Sequence, residues 1–321
     1  MLQFTFLGTS SGVPSLTRNV SGLAVRHRKN KDWILIDAGE GTQHRIQQTN
    51  LTLQNLKAIC ITHVHGDHCY GLLGLLASAG MNGRKDALTL IAPKEIQAWL
   101  ASSMQLTELY LPYEINFIDV ATIKAPIQIN PELSISAHSL HHRVASYAFA
   151  IEVTQQQKKL NVDALNALAI PKGKLWGDLQ QGKNIEWNGD VLQSQDFVEV
   201  TTQHVKAIIS GDNDQPELLH QACKNADLLI HESTYTQETL EKVGASPMHS
   251  SAKMVAEFAE LVRLPNLILT HFSPRYHGAK GIALLEQEAK QFYTGQLFMA
   301  EDLKVFELDA VGTLAKFSAS E

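Results

Sequence analysis

The 321-residue sequence predicts an α/β protein in which layered sheets are covered by helices. Two observations predict it. Short β-branched or apolar runs alternate with segments of helical spacing along most of the chain, and several of those runs end in residues that bind metals.

The alternation begins at the first residues. "LQFTFLG", "WILIDAG", "AICITH", "LTLIAP", "AIISGD", "LLIHES" and "LILTHF" read as buried strands. Between them "KEIQAWLASSM", "PELLHQACK", "SAKMVAEFAELV" and "IALLEQEAKQFY" carry apolar residues at the spacing of amphipathic helices. One segment departs from this pattern. From Gln155 to Glu199 the chain is polar, rich in Lys, Gln and Gly, and broken by "IPKGKLWGDLQQGKN". It reads as an insertion (155–199) projecting from a single domain that spans 1–321.

Composition narrows the class. Hydrophobic residues make up 44% and charged residues 19%, the balance of a soluble globular protein. "MLQFTFLGTSSG" offers neither a basic leader nor a long apolar stretch, so no secretion signal or membrane association is expected. Cys60, Cys69 and Cys223 follow no metal or disulfide spacing, which suits a reducing cytoplasm. With 27 Lys and Arg against 33 Asp and Glu, the net charge of −6 excludes a generally basic nucleic-acid coat. It leaves room for a local basic arm, because phosphate contacts depend on where the charges sit.

The densest chemistry lies in "ICITHVHGDHCYGLLGLL", where His63, His65, Asp67 and His68 crowd a strand-to-helix junction. Gly66 is expected to let the backbone turn tightly, so that His63 and His65 converge on one ion while Asp67 and His68 face a neighbour. Three further strand-like runs end in Asp212, in His231 with Glu232, and in His271. Several strands ending this way imply one site at a shared sheet edge. Imidazole with carboxylate and no thiolate suits Zn²⁺, and would also accept Mn²⁺ or Fe²⁺. "AHSLHHRV" adds three candidates, His138, His141 and His142.

The His-x-His-x-Asp-His run resembles the signature of the metallo-β-lactamase superfamily, whose fold is an αββα sandwich with a two-metal site between its sheets. "FLGTSSGVPSLTRNVSG", "LIDAGEGTQHRI", "THVHGDHCYGL", "HRVASYAF", "SGDN", "IHESTY", "MHSSA" and "THFSPRY" follow in the order seen in the ribonuclease Z family, the tRNA 3′-processing endonucleases. The similarity covers nearly the whole chain and looks like the short bacterial form.

That resemblance implies roles. His63, His65 and His142 would hold one zinc, Asp67, His68 and His271 the other, and Asp212 would bridge the two zinc ions of each chain. Asp67 would also orient the attacking water. His249 is implied as the general acid, with Glu232 raising its pKa and orienting it. Asp37 is expected to fix a ligand or the metal-loop backbone by hydrogen bonds, or simply to form a turn before Gly. "MHSS" could equally be a helix cap through Ser250 or Ser251. Ser273, Arg275 and Tyr276 suit a phosphate or a neighbouring nucleotide. The insertion matches the family's flexible tRNA-gripping arm, with Lys172, Lys174 and Lys183 and an exposed Trp176.

Two departures stand out: Ala148-Phe149 replaces the family's Gly-Tyr, and "GDND" replaces its Gly-Asp-Thr. The activity implied is removal of the 3′ trailer from precursor tRNA, leaving a 3′-hydroxyl, by a cytoplasmic homodimer. The alternatives are a broader RNA exonuclease or phosphodiesterase, another two-metal hydrolase of this superfamily, and a non-catalytic RNA-binding protein.

Overall fold

The computed structural model describes residues 1–317. They form two compact units, Met1–Val153 together with the chain from Val205 on, and Thr154–His204.

The first unit is built on two large sheets. One has the strand order Leu314–Phe317, Val305–Leu308, Leu2–Gly8, Gly22–His27, Trp33–Ile36, Leu56–Cys60, Leu88–Ala92, Ile115–Asp119. The other runs Gln296–Met299, Asn266–Thr270, Leu228–Glu232, Val198–Ile209, Ser146–Leu160, Leu133–Leu140, Ile127–Asn130. Side-chain alternation along each strand sorts residues between two cores. From Trp33–Ile36, Ile34 and Ile36 join a core shared with the second sheet's Phe149, Ile151, Val205 and Ile230. Trp33 and Leu35 instead pack under the helices Leu72–Met81 and Lys94–Leu106, against Leu75, Leu76, Ile96 and Leu100. Ala256 and Ala259 of the helix Ala252–Leu261 and Leu285 of Ala279–Ala289 belong to the shared core. This is the αββα sandwich. Each fully buried Leu, Ile or Phe in it contributes roughly 1.5–3 kcal/mol from apolar burial.

All seven runs read as strands are strands. Those not anticipated include Ile115–Asp119 and Ile127–Asn130, which sit at sheet edges and are only partly buried, so their sequences lack a continuous apolar run. "PELLHQACK" does not form the predicted α-helix. It makes a 3₁₀ turn, Pro216–Leu219, because its backbone bonds mostly span three residues while Leu219, Ala222 and Cys223 are drawn into the core.

The second unit has its own small core of Leu165, Ile170, Leu179, Ile185 and Phe197. Helices Val162–Ala167 and Lys174–Gln180 accompany a hairpin, Ile185–Trp187 with Asp190–Leu192. Its Asn188-Gly189 turn has both residues at positive φ, 53° and 91°, the geometry that this dipeptide favours. Trp176, expected to be exposed, is half-buried against that core and donates its indole N–H to the Ile170 carbonyl at 3.0 Å.

Candidate metal centre

Parallel pairing builds the site. Trp33–Ile36 runs parallel to Leu56–Cys60, and Leu228–Glu232 runs parallel to both Val198–Ile209 and Asn266–Thr270. Parallel strands end on the same edge, so the residues just beyond them gather. These are Asp37, His63, His65, Asp212 and His271, with Glu232 as the last residue of its strand. His142 enters from the turn between Leu133–Leu140 and Ser146–Leu160, and His249 from the loop before Ala252–Leu261.

Two groups of ligand atoms converge, each within 4.8 Å, His63, His65, His142 and Asp212 in one and Asp67, His68 and His271 in the other, and His249 lies within the same distance of Asp212 and His271. In the first, His65 Nδ1 lies 3.1 Å from His63 Nε2 and 3.2 Å from His142 Nε2. In the second, His68 Nε2 and His271 Nε2 are 3.2 Å apart, and Asp67 Oδ2 is 3.6 and 3.5 Å from them. Asp212 faces both groups with different oxygens. Its Oδ2 lies 3.6 Å from His63 Nε2 and 3.7 Å from His142 Nε2, whereas its Oδ1 is 3.4 Å from both His68 Nε2 and His271 Nε2.

The protons of these rings are committed elsewhere. His68 Nδ1 lies 2.7 Å from Asp37 Oδ2 and His142 Nδ1 lies 2.8 Å from the Met248 carbonyl, both acceptors only, so each nitrogen donates. His63 Nδ1 lies 3.0 Å from the Thr62 hydroxyl, whose own hydrogen goes to Asp37 Oδ2 at 2.9 Å. In the neutral rings the Nε2 atoms of His63, His68 and His142 are therefore the bare ones. Burial acts to lower the His68 pKa, but the Asp212, Asp67 and Asp37 carboxylates outweigh it and push the imidazole up to about 10, so without an ion its Nε2 carries a proton. Bare nitrogens about 3 Å apart repel unless a cation lies among them. Tetrahedral ligands at zinc–nitrogen lengths stand about 3.3 Å from one another, which the observed spacings match. The residues fit two divalent ions.

Electrostatics agree. Burial alone would raise the Asp67 and Asp212 carboxyls, but His68 and His271 hold Asp67, and His271, His68 and His63 hold Asp212, well below the carboxylate range. Asp67 is further fixed by the Gly12 N–H, which donates to its Oδ2 at 2.8 Å. Asp37 lies in the left-handed region at φ 60° and takes the Thr62 N–H at 2.8 Å on Oδ1, so it braces the loop without joining either group. Gly66 opens a helical turn with no positive φ. Its missing Cβ instead makes room for the Tyr70 ring, which a Cβ would meet at 2.2 Å.

His249 Nδ1 is 3.1 Å from Glu232 Oε1, and both side chains are buried. Burial acts to lower the His249 pKa, but the Glu232 and Asp212 carboxylates outweigh it and push the imidazole up to about 9. The capping role beside it belongs to Ser251, which accepts from Met254 N. Ser250 serves the site, donating its N–H to Glu232 Oε1 at 2.9 Å.

The other predicted residues separate. His141 is half-exposed and pairs with Asp214 at 2.7 Å, and His138 lies on the strand Leu133–Leu140, so of the three only His142 joins a ligand group. His231 is buried between Asn213 and its own strand. The Arg275 guanidinium lies 5.8 Å over the Tyr235 ring, which stands edge-on to His249 at 6.1 Å. Ser273 is buried beside Arg275, 3.4 Å from its Nη1. Tyr276 is buried too, its hydroxyl engaged by Thr236 and Thr239. Lys172, Lys174 and Lys183 are exposed in the second unit; Lys172 lies over Trp176 and Lys183 is 3.6 Å from Asp178. Sequence reasoning missed Gly12, Thr62 and Thr234. The one available signal was that Thr62 and Thr234 stand next to, or two residues from, chemistry-bearing positions.

The ribonuclease Z of Marinobacter nauticus is 43% identical over 313 residues, covering 96% of this chain and 97% of that protein. The chain belongs to the ribonuclease Z family. A ribonuclease Z of Pseudomonas putida strain W619 is 41% identical over 319 residues, covering 98% of this chain and 99% of that protein. Residues 2–163, about half of the chain, also match and belong to the family described as Anti-Pycsar protein Apyc1. That stretch holds the His63–His68 run and His142 but not Asp212, Glu232, His249 or His271, which the ribonuclease Z relatives also cover. Among solved structures, the short form of human tRNase Z superposes with a TM-score of 0.64 at 24% identity, covering 96% of this chain and 99% of that one. The metallo-β-lactamase fold protein YhfI of Bacillus subtilis gives 0.64 at 18% identity, over 95% and 98%. Both likenesses concern the fold.

Proposed function

We propose that this member of the ribonuclease Z family is a two-zinc endoribonuclease that removes 3′ trailers from precursor tRNA and leaves a 3′-hydroxyl on the tRNA. The observation that carries the reading is the buried His249–Glu232 pair, 3.1 Å apart, next to seven converging ligand side chains. A small substrate with a good leaving group needs no such acid, whereas a ribose alkoxide leaves poorly unless protonated.

His63, His65 and His142 would hold one ion and Asp67, His68 and His271 the other, with Asp212 shared between them. When bound, the two ions supply water of lowered pKa and positive charge toward the phosphate oxygens. Asp67 presents a fixed carboxylate that orients the attacking water by accepting its hydrogen. His249, held at Nδ1 by Glu232, delivers a proton from Nε2 to the departing oxygen. Arg275, with Ser273 beside it, takes the phosphate or flanking nucleotide, and Tyr276 holds their loop. Lys172, Lys174 and Lys183 grip the tRNA backbone.

The proposed assembly is a homodimer, as the family resemblance implies, and sedimentation velocity tests it. The proposed compartment is the cytoplasm; among the described residues no helix is long and apolar enough to cross a membrane.

The decisive experiment is incubation with a 3′-extended precursor tRNA and mapping of the product ends. A single cut after the tRNA body, leaving a 3′-hydroxyl, supports the reading. A ladder of trimmed ends supports the exonuclease alternative, and an uncut precursor beside a hydrolysed small diester supports the general hydrolase.

A further inference from the structure

Thr234 stands where the two parts of the site meet. Its hydroxyl lies 2.7 Å from Glu232 Oε2 and 3.1 Å from His271 Nδ1, and the residue is 1% exposed. A hydroxyl has one hydrogen, and of the two acceptor-only oxygens in reach the charged Glu232 carboxylate at 2.7 Å is closer than the His271 carbonyl at 3.2 Å, so that hydrogen goes to Glu232. The oxygen is then free to accept the Nδ1–H of His271, which leaves His271 Nε2 bare and facing Asp67, His68 and Asp212. Glu232 meanwhile takes the Thr234 N–H on the same Oε2 at 3.0 Å, and uses Oε1 for His249.

One buried carboxylate therefore holds the general acid with one oxygen and, through a single hydroxyl, a metal ligand with the other. The opposite sheet repeats the clamp. Asp37 takes both the N–H and the hydroxyl of Thr62, and that hydroxyl meets His63 Nδ1. There the carboxylate also binds His68 directly. His271 has no such direct bond to Glu232 and reaches it through Thr234.

We propose that Thr234 is a positioning residue that joins the metal ligand His271 to the Glu232–His249 pair, so that binding of the second ion and protonation of the leaving group are set together. This rests on the two-ion reading above. Removing the hydroxyl strands the buried His271 Nδ1–H, frees the ring to turn or change tautomer, and takes a charge-assisted donor from Glu232.

The test is zinc binding by competition with a chromogenic chelator, on the full-length wild type, Thr234→Val and Thr234→Ser. Thr234→Val should bind the first zinc as wild type does and the second roughly 10–100-fold more weakly. At saturating zinc it should lose more activity on precursor tRNA than on a nitrophenyl phosphodiester, and Thr234→Ser should restore both properties. Wild-type affinity for both ions in Thr234→Val overturns the proposal. Equal losses on the two substrates overturn its link to the acid. Should Thr234→Val not fold, Thr234→Ala replaces it: weaker second-zinc binding than in Thr234→Ser supports the proposal, and equal binding overturns it. A wild-type protein that binds only one zinc would sink the two-ion reading itself.

Discussion

The His249 ring reaches the Glu232 carboxylate across 17 residues of sequence, Nδ1 to Oε1 at 3.1 Å, with both groups out of water. Removing the imidazole should therefore cost proton donation and leave the ligand groups whole. His249→Ala is expected to keep its metal content and slow cleavage of precursor tRNA by roughly 10²–10⁴-fold. On a nitrophenyl diester, whose leaving group needs no proton, the deficit should shrink. Equal losses on RNA and diester would remove His249 from that role.

Asp212 supports both ligand groups at once, which makes it the most sensitive single position in the centre. Asp212→Ala should lower metal content and abolish cleavage. Metal analysis of the purified variant decides: two zinc ions per chain with normal turnover would be incompatible with a bridging carboxylate.

The second unit carries its lysines on a surface separate from its core. Changing Lys172, Lys174 and Lys183 together to Ala should raise KM for precursor tRNA and lower the salt slope of binding by about one for each phosphate that is no longer neutralised. Hydrolysis of a small phosphodiester should hardly change. If tRNA affinity and salt slope both stay at wild-type values, these lysines serve only solubility.

His27 is buried with neither ring nitrogen hydrogen-bonded, its nearest carboxylate oxygen, on Glu132, lying 3.8 Å from Nδ1. Burial pushes its pKa below the ordinary value, Glu132 opposing and the Met1 amine and Lys29 reinforcing. The unfolded chain therefore takes up this proton more readily than the folded one. Stability is full above about pH 6.5 and falls as pH drops through the lower folded pKa. Melting temperatures at neutral and mildly acidic pH should drop less for His27→Phe than for wild type. An identical drop would mean that other groups govern acid sensitivity.

Much of this protein is determined locally. Apolar runs broken by Gly, Pro and polar residues specify the seven central strands, because a strand buried on both faces needs continuous apolar sequence. The ligand types are equally local, since His and Asp just past such strands can reach an edge whatever the loops do. Edge strands such as Ile127–Asn130 were not legible, because half-exposed segments lack that run. The small core of the second unit was hidden too, for its apolar residues are sparse and meet only after the chain folds back on itself.

Only the tertiary structure decided which groups meet. His68 and His271 lie 203 residues apart in sequence and 3.2 Å apart in space. It also gave His142, which the family resemblance had already singled out, the Met248 carbonyl as acceptor for its Nδ1–H, and it turned the two oxygens of Asp212 toward different ligand groups. Thr62 and Thr234 acquired their roles in the same way. A hydroxyl's partner, a ring's tautomer and a carboxylate's orientation depend on atoms brought in from other strands. Composition and spacing can supply the donors and acceptors, but their pairing exists only once parallel strands have aligned their ends on one edge.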